Sequence, residues 1–414
     1  MKKLLFVIVA AIAFVACEKE PFVQANDFTE RELSNKVSLN QALVYAKNSI
    51  NGIGTSTRST SRKVKSTEIF VAKPSTRSVE SEEVSFYLIN YENNEGYAMV
   101  STDSRTTPVY AYSDEGNLNP EDFENNPGLK IFLEGAILNY EDEIANCSTY
   151  GIGDRLPIEL PDSSYGDIAK MPIVEYDGGY YYQGYSSETI EKEELLTTYW
   201  HQGSPYGDYC LNDVGGCGPV AAAQIMAYHK HPSIFGSHLY NWNAMTATPT
   251  LSSGSIGASF AAQLILDIGI EAEADYILEE NPEDNRTSTE IPKIKDMFRA
   301  FDYNCTNPTS YDINRVKENI NAERPVYIRG DNNDEGHAWV IDGYQYNATR
   351  VTYYYTYEPY GMYDSNIIHS STYFHCNLGW GNSAYDQTNN NGYFYAYSFI
   401  YNNDLKVIYD IMPN

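Results

Sequence analysis

A cysteine between glycines, at the mouth of an apolar helix, sets the terms for this 414-residue chain. Asp213-Val-Gly-Gly-Cys217-Gly-Pro-Val-Ala-Ala-Ala-Gln-Ile-Met-Ala-Tyr-His229 passes from small residues straight into a helix-forming stretch. Pro219 suits a first helical turn, where a missing N–H costs nothing. Lys230-His231-Pro232 stops the helix. Cys217 therefore falls at a helix N-terminus, where unpaired N–H groups and the dipole favour a thiolate. Gly215, Gly216 and Gly218 are expected to let a substrate backbone approach closely. The competing reading of these residues alone is a buried, inert cysteine opening a core helix.

The rest of the chain decides between the two. A cysteine nucleophile needs a base, something to orient the base, and donors for an oxyanion. Glu335-Gly336-His337-Ala-Trp339-Val-Ile-Asp342 puts His337 where a flexible acidic loop enters a strand, and His337 is the expected base. His375 is its rival, while His229 and His231 decorate the end of the helix. In Phe374-His375-Cys376-Asn377-Leu378-Gly379-Trp380, Asn377 is expected to accept from the imidazole and Trp380 to shield the pair from water. The alternative for Asn377 is an ordinary turn at a strand end. Gln202 lies fifteen residues before Cys217, and its amide is expected beside the Cys217 N–H at an oxyanion hole. A lone glutamine is otherwise a surface residue. Gly216, Gly336 and Trp380 are expected to line the substrate path.

Charge and cysteine usage bound the compartment. With 56 acidic against 28 basic residues, a net charge of −28 repels nucleic acid and anionic membrane surfaces. Lys2-Lys3 followed by the apolar run Leu4 to Val15 reads as a signal segment over residues 1–16, too short to span a bilayer. Ala16-Cys17 resembles a bacterial lipobox, so Cys17 is the expected lipidation site, with ordinary secretion as the alternative. The expected location is extracytoplasmic in a bacterium, with membrane attachment only through that anchor, for a monomer. Cys147, Cys210, Cys217, Cys305 and Cys376 remain, an odd number that suggests one thiol kept unpaired. No cysteine or histidine spacing suits a metal, so neither a metal nor a cofactor is expected.

Residues 17–37 read as a tether. From 38 to 150 the pattern is that of a small α+β domain. Ser38-Leu39-Asn40-Gln41 is a capping box opening one helix, strands are expected at Glu68–Ala72, Val84–Tyr91, Tyr97–Ser101 and Pro108–Tyr112, and an amphipathic helix follows from Leu129 to Cys147. Residues 151–185, rich in proline, glycine and tyrosine, read as a linker. From 186 to 414 the helices come first, at Cys217, Pro292–Phe301 and Ile313–Ala322. Aromatic and β-branched strands follow, an α+β pattern.

Four ordered motifs carry a resemblance. Trp200-His-Gln202-Gly-Ser-Pro205-Tyr206, Gly216-Cys217 with Ala223-Gln224-Ile-Met-Ala-Tyr-His229, Gly336-His337-Ala-Trp339-Val-Ile-Asp342-Gly-Tyr344, and His375-Cys-Asn377-Leu-Gly-Trp380-Gly381 together resemble the streptopain family of papain-like cysteine peptidases. Gly96-Tyr-Ala-Met-Val-Ser-Thr-Asp103 and Pro108-Val-Tyr-Ala-Tyr-Ser113 resemble that family's inhibitory propiece. The resemblance implies a papain-like catalytic domain behind an α+β prodomain that acts as an intramolecular inhibitor. It also implies an endopeptidase acting on protein or peptide substrates, with Cys217 as nucleophile, His337 as base, Gln202 at the oxyanion hole and a tryptophan-lined site around Asn377. A hydrophobic residue second on the N-terminal side of the cleaved bond would be preferred. Two departures stand out. Leu378 replaces a tryptophan, and Gly218-Pro219-Val220 replaces Val-Ala-Thr. The rival reading is an inactive surface binding protein that keeps the peptidase fold.

Overall fold

The computed structural model describes residues 35–51, 62–73, 83–146, 171, 173–331, 336–357, 359–380, 390–402 and 404–414. The signal segment, Cys17, Cys147 and most of the expected linker lie outside them. The fold is α+β. In its N-terminal part, helix α1 (Leu39–Asn51) starts at the expected capping box, with Ser38 N donating to Gln41 Oε1 at 2.8 Å. It buries Ala42, Ala46 and Ile50 along one face. Strands β1 (Val64–Ala72), β2 (Val84–Tyr91), β3 (Tyr97–Ser101) and β4 (Val109–Ser113) form an antiparallel meander. Helix α2 (Pro127–Ala145) begins two residues before the sequence expectation. Asn126 caps it, its side chain accepting from Gly128 N and Leu129 N, and Pro127 takes the first turn.

The second part opens with β5 (Ile173–Tyr176) and β6 (Gly179–Lys192), which pair with each other. The expected linker boundary at 185 therefore falls inside a strand, and residues 173–185 belong to the sheet. Residues 173–176 pair with 179–182 as a hairpin, and from Tyr181 onward β6 lies along a distant strand, Tyr185 opposite Val351, which no local signal reveals. A helical half follows, with α3 (Cys217–His229), α4 (Ile256–Glu271) and α5 (Ile291–Ala300) around one apolar core. Helix α3 is its centre, buried from Gly218 to Ala227. After α6 (Ile313–Asn321) come β7 (Val326–Asp331), β8 (Gly336–Tyr355), β9 (Met362–Asn377), β10 (Gly392–Tyr395) and β11 (Lys406–Ile408).

These strands and the N-terminal meander form a single eleven-stranded sheet in the order β1-β2-β3-β4-β10-β9-β8-β7-β11, with the β5–β6 hairpin set along the far stretch of β8. The join is β4 on β10, where Tyr112 faces Tyr393 and Ala111 faces Phe394. The Tyr112 ring stacks on Tyr393 at 5.3 Å, and its hydroxyl donates to Gln345. Phe132 of α2 packs against Phe394 at 4.8 Å and Phe399 at 5.8 Å. One continuous apolar core runs through both parts, from Ala42 and Phe86 to Trp339 and Phe374. Each ring buried at the join contributes about 1.5–3 kcal/mol to holding the two together. Among the described residues no helix is long and apolar enough to cross a membrane.

Candidate active site

Cys217 is the first residue of α3, and the residue before it, Gly216, has φ 83°. That left-handed backbone turns the loop into the helix and favours glycine. Each of the glycines around Cys217 is hemmed in by neighbouring side chains. A Cβ at Gly215 would sit 2.9 Å from Ile265 Cγ2, one at Gly216 2.9 Å from Thr287 Cγ2, and one at Gly218 would collide with Thr289 Oγ1. All three are small because protein packs against them, and Gly216 is buried rather than open to substrate. The Gly218 departure is thereby explained, since a valine has no room while Thr289 is present.

His337 lies near the start of β8, almost wholly buried and opposite Gly330 of β7. Its Nε2 donates to the main-chain carbonyl of Leu378 at 2.8 Å. A carbonyl can only accept, so that nitrogen carries hydrogen and the other ring nitrogen is left for the thiol. Trp339 lies parallel to the imidazole at 6.2 Å, and Trp380 stands edge-on at 5.7 Å. Half-buried Cys217 feels this neighbourhood. Burial alone would push its thiol up. The hydrogen bond and charge of His337, the Ala338 N–H and the Arg329 charge outweigh burial and bring it below the ordinary thiol value.

The orienting bond expected from Asn377 is thus made by its neighbour's backbone. Asn377 Oδ1 instead accepts from Gln224 Nε2 at 3.1 Å and Gly379 N at 3.2 Å, and its Nδ2 donates to Thr198 O at 2.8 Å. Gln224, in the middle of α3 and fully buried, accepts from Trp200 N and Thr198 Oγ1 as well. The two amides tie the helix that carries Cys217 to the strand end that orients His337. Gln224 was missed as a site residue, although a glutamine amid Ala-Ala-Ala and Ile-Met is a polar group in need of buried partners. Leu378 supplies its carbonyl whatever its side chain, so this departure leaves the bond intact.

Gln202 is half-buried, and its carbonyl accepts from Gly215 N at 2.7 Å, which fixes its segment beside the loop entering Cys217. Gly336 is covered by the side-chain ends of Asp331 and Arg329, which a Cβ there would displace. Trp380 is half-buried at the edge of the imidazole. His375, the rival base, is committed elsewhere, with Nδ1 2.6 Å from buried Asp342. His229 and His231 pack edge-on against Tyr303. Cys210, Cys305 and Cys376 are free, as is Cys217, and burial pushes each of those three thiols up.

The N-terminal part reaches this site. A Cβ on Gly128, in the first turn of α2, would lie 2.9 Å from His337 Cδ2 and 3.1 Å from Leu378 Cδ2. Its cap residue Asn126 shares a 3.4 Å hydrogen bond with Asn390, next to Asn391, which accepts from Leu378 N at 2.8 Å.

Residues 200–394 match the peptidase C10 family, and residues 34–139 match the Spi protease inhibitor family. The chain is 24% identical to streptopain of Streptococcus pyogenes over 293 residues, 60% of this chain and 65% of that protein. It is 23% identical over 357 residues to the thiol protease/hemagglutinin PrtT of Porphyromonas gingivalis, 77% of this chain and 34% of that protein. The chain thus spans under two thirds of the length of streptopain and about a third of PrtT. A fragment of prointerpain A from Prevotella intermedia shares the fold, with a TM-score of 0.50 and 17% identity over 84% of this chain and all of that one.

Proposed function

We propose that the chain is a cysteine endopeptidase made as a zymogen, because residues 200–394 match the peptidase C10 family and an inhibitor-type match lies ahead of them. What carries this reading is Cys217 at the first residue of a buried helix, with His337 oriented by the Leu378 carbonyl and its charge favouring the Cys217 thiolate. The thiolate attacks the carbonyl carbon of a peptide bond. The oxygen takes the negative charge, and the Cys217 N–H and the Gln202 amide are assigned to receive it. The His337 imidazolium gives its proton to the departing amine, the C–N bond breaks, and an acyl-enzyme remains. Water then attacks the thioester, losing a proton to His337, and the acid leaves as the thiolate and imidazolium are restored.

In this account residues 38–150 are the propiece. Its α2 N-terminus lies against His337, and its sheet is joined to the peptidase sheet through β4 and β10. Cleavage between it and β5 frees the cleft and leaves β5 and β6 with the catalytic part. Substrates are proteins or peptides, with a hydrophobic residue preferred second on the N-terminal side of the cut. The chain is held at the envelope through Cys17 or secreted. The rival reading, an inactive binding protein, leaned on Leu378. It loses that support because the orienting bond comes from the main chain.

The test is an epoxide that alkylates active cysteines, followed by peptide mapping of the trimmed protein. Label on Cys217, lost in His337→Ala, supports the peptidase. An unlabelled Cys217 in a folded, trimmed protein rejects it.

A further inference from the structure

Arg329 has no part in the sequence argument, yet it stands where the elements of the site meet. It lies on β7 opposite Ala338, and its neighbour Gly330 lies opposite His337. Its Nη1 donates to Thr289 O at 2.8 Å, and Thr289 is the residue packed on Gly218, immediately after the nucleophile. Its Nη2 and Nε bind the two carboxylate oxygens of Asp331 at 2.6 and 3.3 Å. The guanidinium and the Asp331 carboxylate lie close against Gly336. One cation therefore lies against the start of the strand of His337, the Thr289 carbonyl beside the first turn of α3, and Asp331 at the end of β7.

We propose that Arg329 is a positioning residue for the nucleophile. Clamped between Asp331 and the Thr289 carbonyl, its guanidinium supplies a second positive charge to the Cys217 thiolate, and Asp331 sets how much of that charge is felt. This rests on the reading of Cys217 as the nucleophile.

Among the described residues, the titratable groups facing Cys217 are His337 from β8 and Tyr327 and Arg329 from β7, with Asp331 facing Arg329. Burial is the largest influence on the Cys217 thiol and raises it. His337 comes next, then the Ala338 N–H and Arg329, all favouring the anion. Tyr327 is held neutral by burial and by the Cys217 charge. Burial opposes the charge on Arg329, but Asp331 more than offsets it. An arginine suits this place because its planar fork is fixed by a carboxylate and keeps its charge when half-buried.

The experiment measures the rate of Cys217 alkylation by iodoacetamide in the full chain between about pH 4 and 9, a range that brackets activated and ordinary thiols. The alkylated peptide is identified by mass. Arg329→Gln is expected to move the midpoint up and slow alkylation several-fold on the acid side. Arg329→Lys is expected to stay close to wild type. Asp331→Asn, which leaves the guanidinium uncompensated, is expected to move the midpoint down. Opposite shifts from two partners of one ion pair separate charge from structural damage, which would slow both variants. Unshifted midpoints, or an upward shift in both Arg329→Gln and Asp331→Asn, overturn the proposal. If wild-type Cys217 titrates as an ordinary thiol, the nucleophile itself fails, and this inference with it.

Discussion

Gln224 and Asn377 face each other through paired amides, Gln224 Nε2 to Asn377 Oδ1 at 3.1 Å and Asn377 Nδ2 to Gln224 Oε1 at 3.3 Å. Both side chains are buried, one inside the helix that begins at Cys217 and the other at the strand end whose next residue holds His337. This pair therefore ties the helix that begins at Cys217 to the strand end beside His337, and the bond to the imidazole comes from Leu378 rather than Asn377.

Asn377→Ala strips Gln224, Gly379 and Thr198 of partners in a site closed to water. A buried polar group left unpaired costs about 1–3 kcal/mol. A urea midpoint lowered accordingly is expected, together with a partial loss of activity. His337→Ala is expected to abolish activity and also to lower stability, because it leaves the Leu378 carbonyl without its donor. Equal stability of Asn377→Ala and wild type would contradict the bridging role.

Gly218→Val is expected to be destabilising and poorly active because its Cβ runs into Thr289 Oγ1. Thr289→Ala removes that atom, so the double variant should regain part of both losses. The check is a double-mutant cycle, in which contacting residues typically couple by about 0.5–3 kcal/mol. Additive losses would mean that the two positions do not meet.

The buried His375–Asp342 pair predicts a pH dependence of stability. Burial opposes the charge on His375, but Asp342 through charge and hydrogen bond, with Glu194 and Glu115 behind it, lifts the histidine to about 9. A histidine raised in the folded state stabilises fully below its unfolded value of about 6.5, and the contribution fades as pH rises through the folded value. Wild type should therefore lose stability between about pH 6.5 and 9, and His375→Gln should lack that component. Urea midpoints across this range decide it.

Phe132→Ala weakens the grip of the propiece without touching the cleft, since Phe132 meets Phe394 and Phe399. Removing a well-packed phenylalanine costs about 3–5 kcal/mol. Faster maturation is expected, along with weaker inhibition by the separately added propiece. Unchanged maturation kinetics would argue against docking through α2.

Much of this was legible in the sequence because the signals are local. The capping box at Ser38, the spacing of apolar residues after Leu129, and the alternation in Val84–Tyr91 each belong to a single element. Helix α4 carried no such signal, since its apolar residues lie on all sides. The long arm of β8 and β9 has no continuous strand signal in the sequence. Asn347-Ala-Thr349 looks like a break, and only pairing with β6 on one side and β9 on the other keeps it extended. At the site, Cys217 and His337 announced themselves by residue type and setting. The Leu378 carbonyl could not, because every residue has one.

The central claim is that Cys217 cuts peptide bonds and that the first domain is what it sheds. An intact-mass time course on residues 18–414 under mild reduction, wild type beside Cys217→Ala, tests it most directly. The account predicts that wild type alone loses roughly 15–20 kDa, about the mass of a domain of some 150 residues. Loss of the same fragment from Cys217→Ala at the same rate, or a separately trimmed wild type that cleaves no peptide, would contradict it.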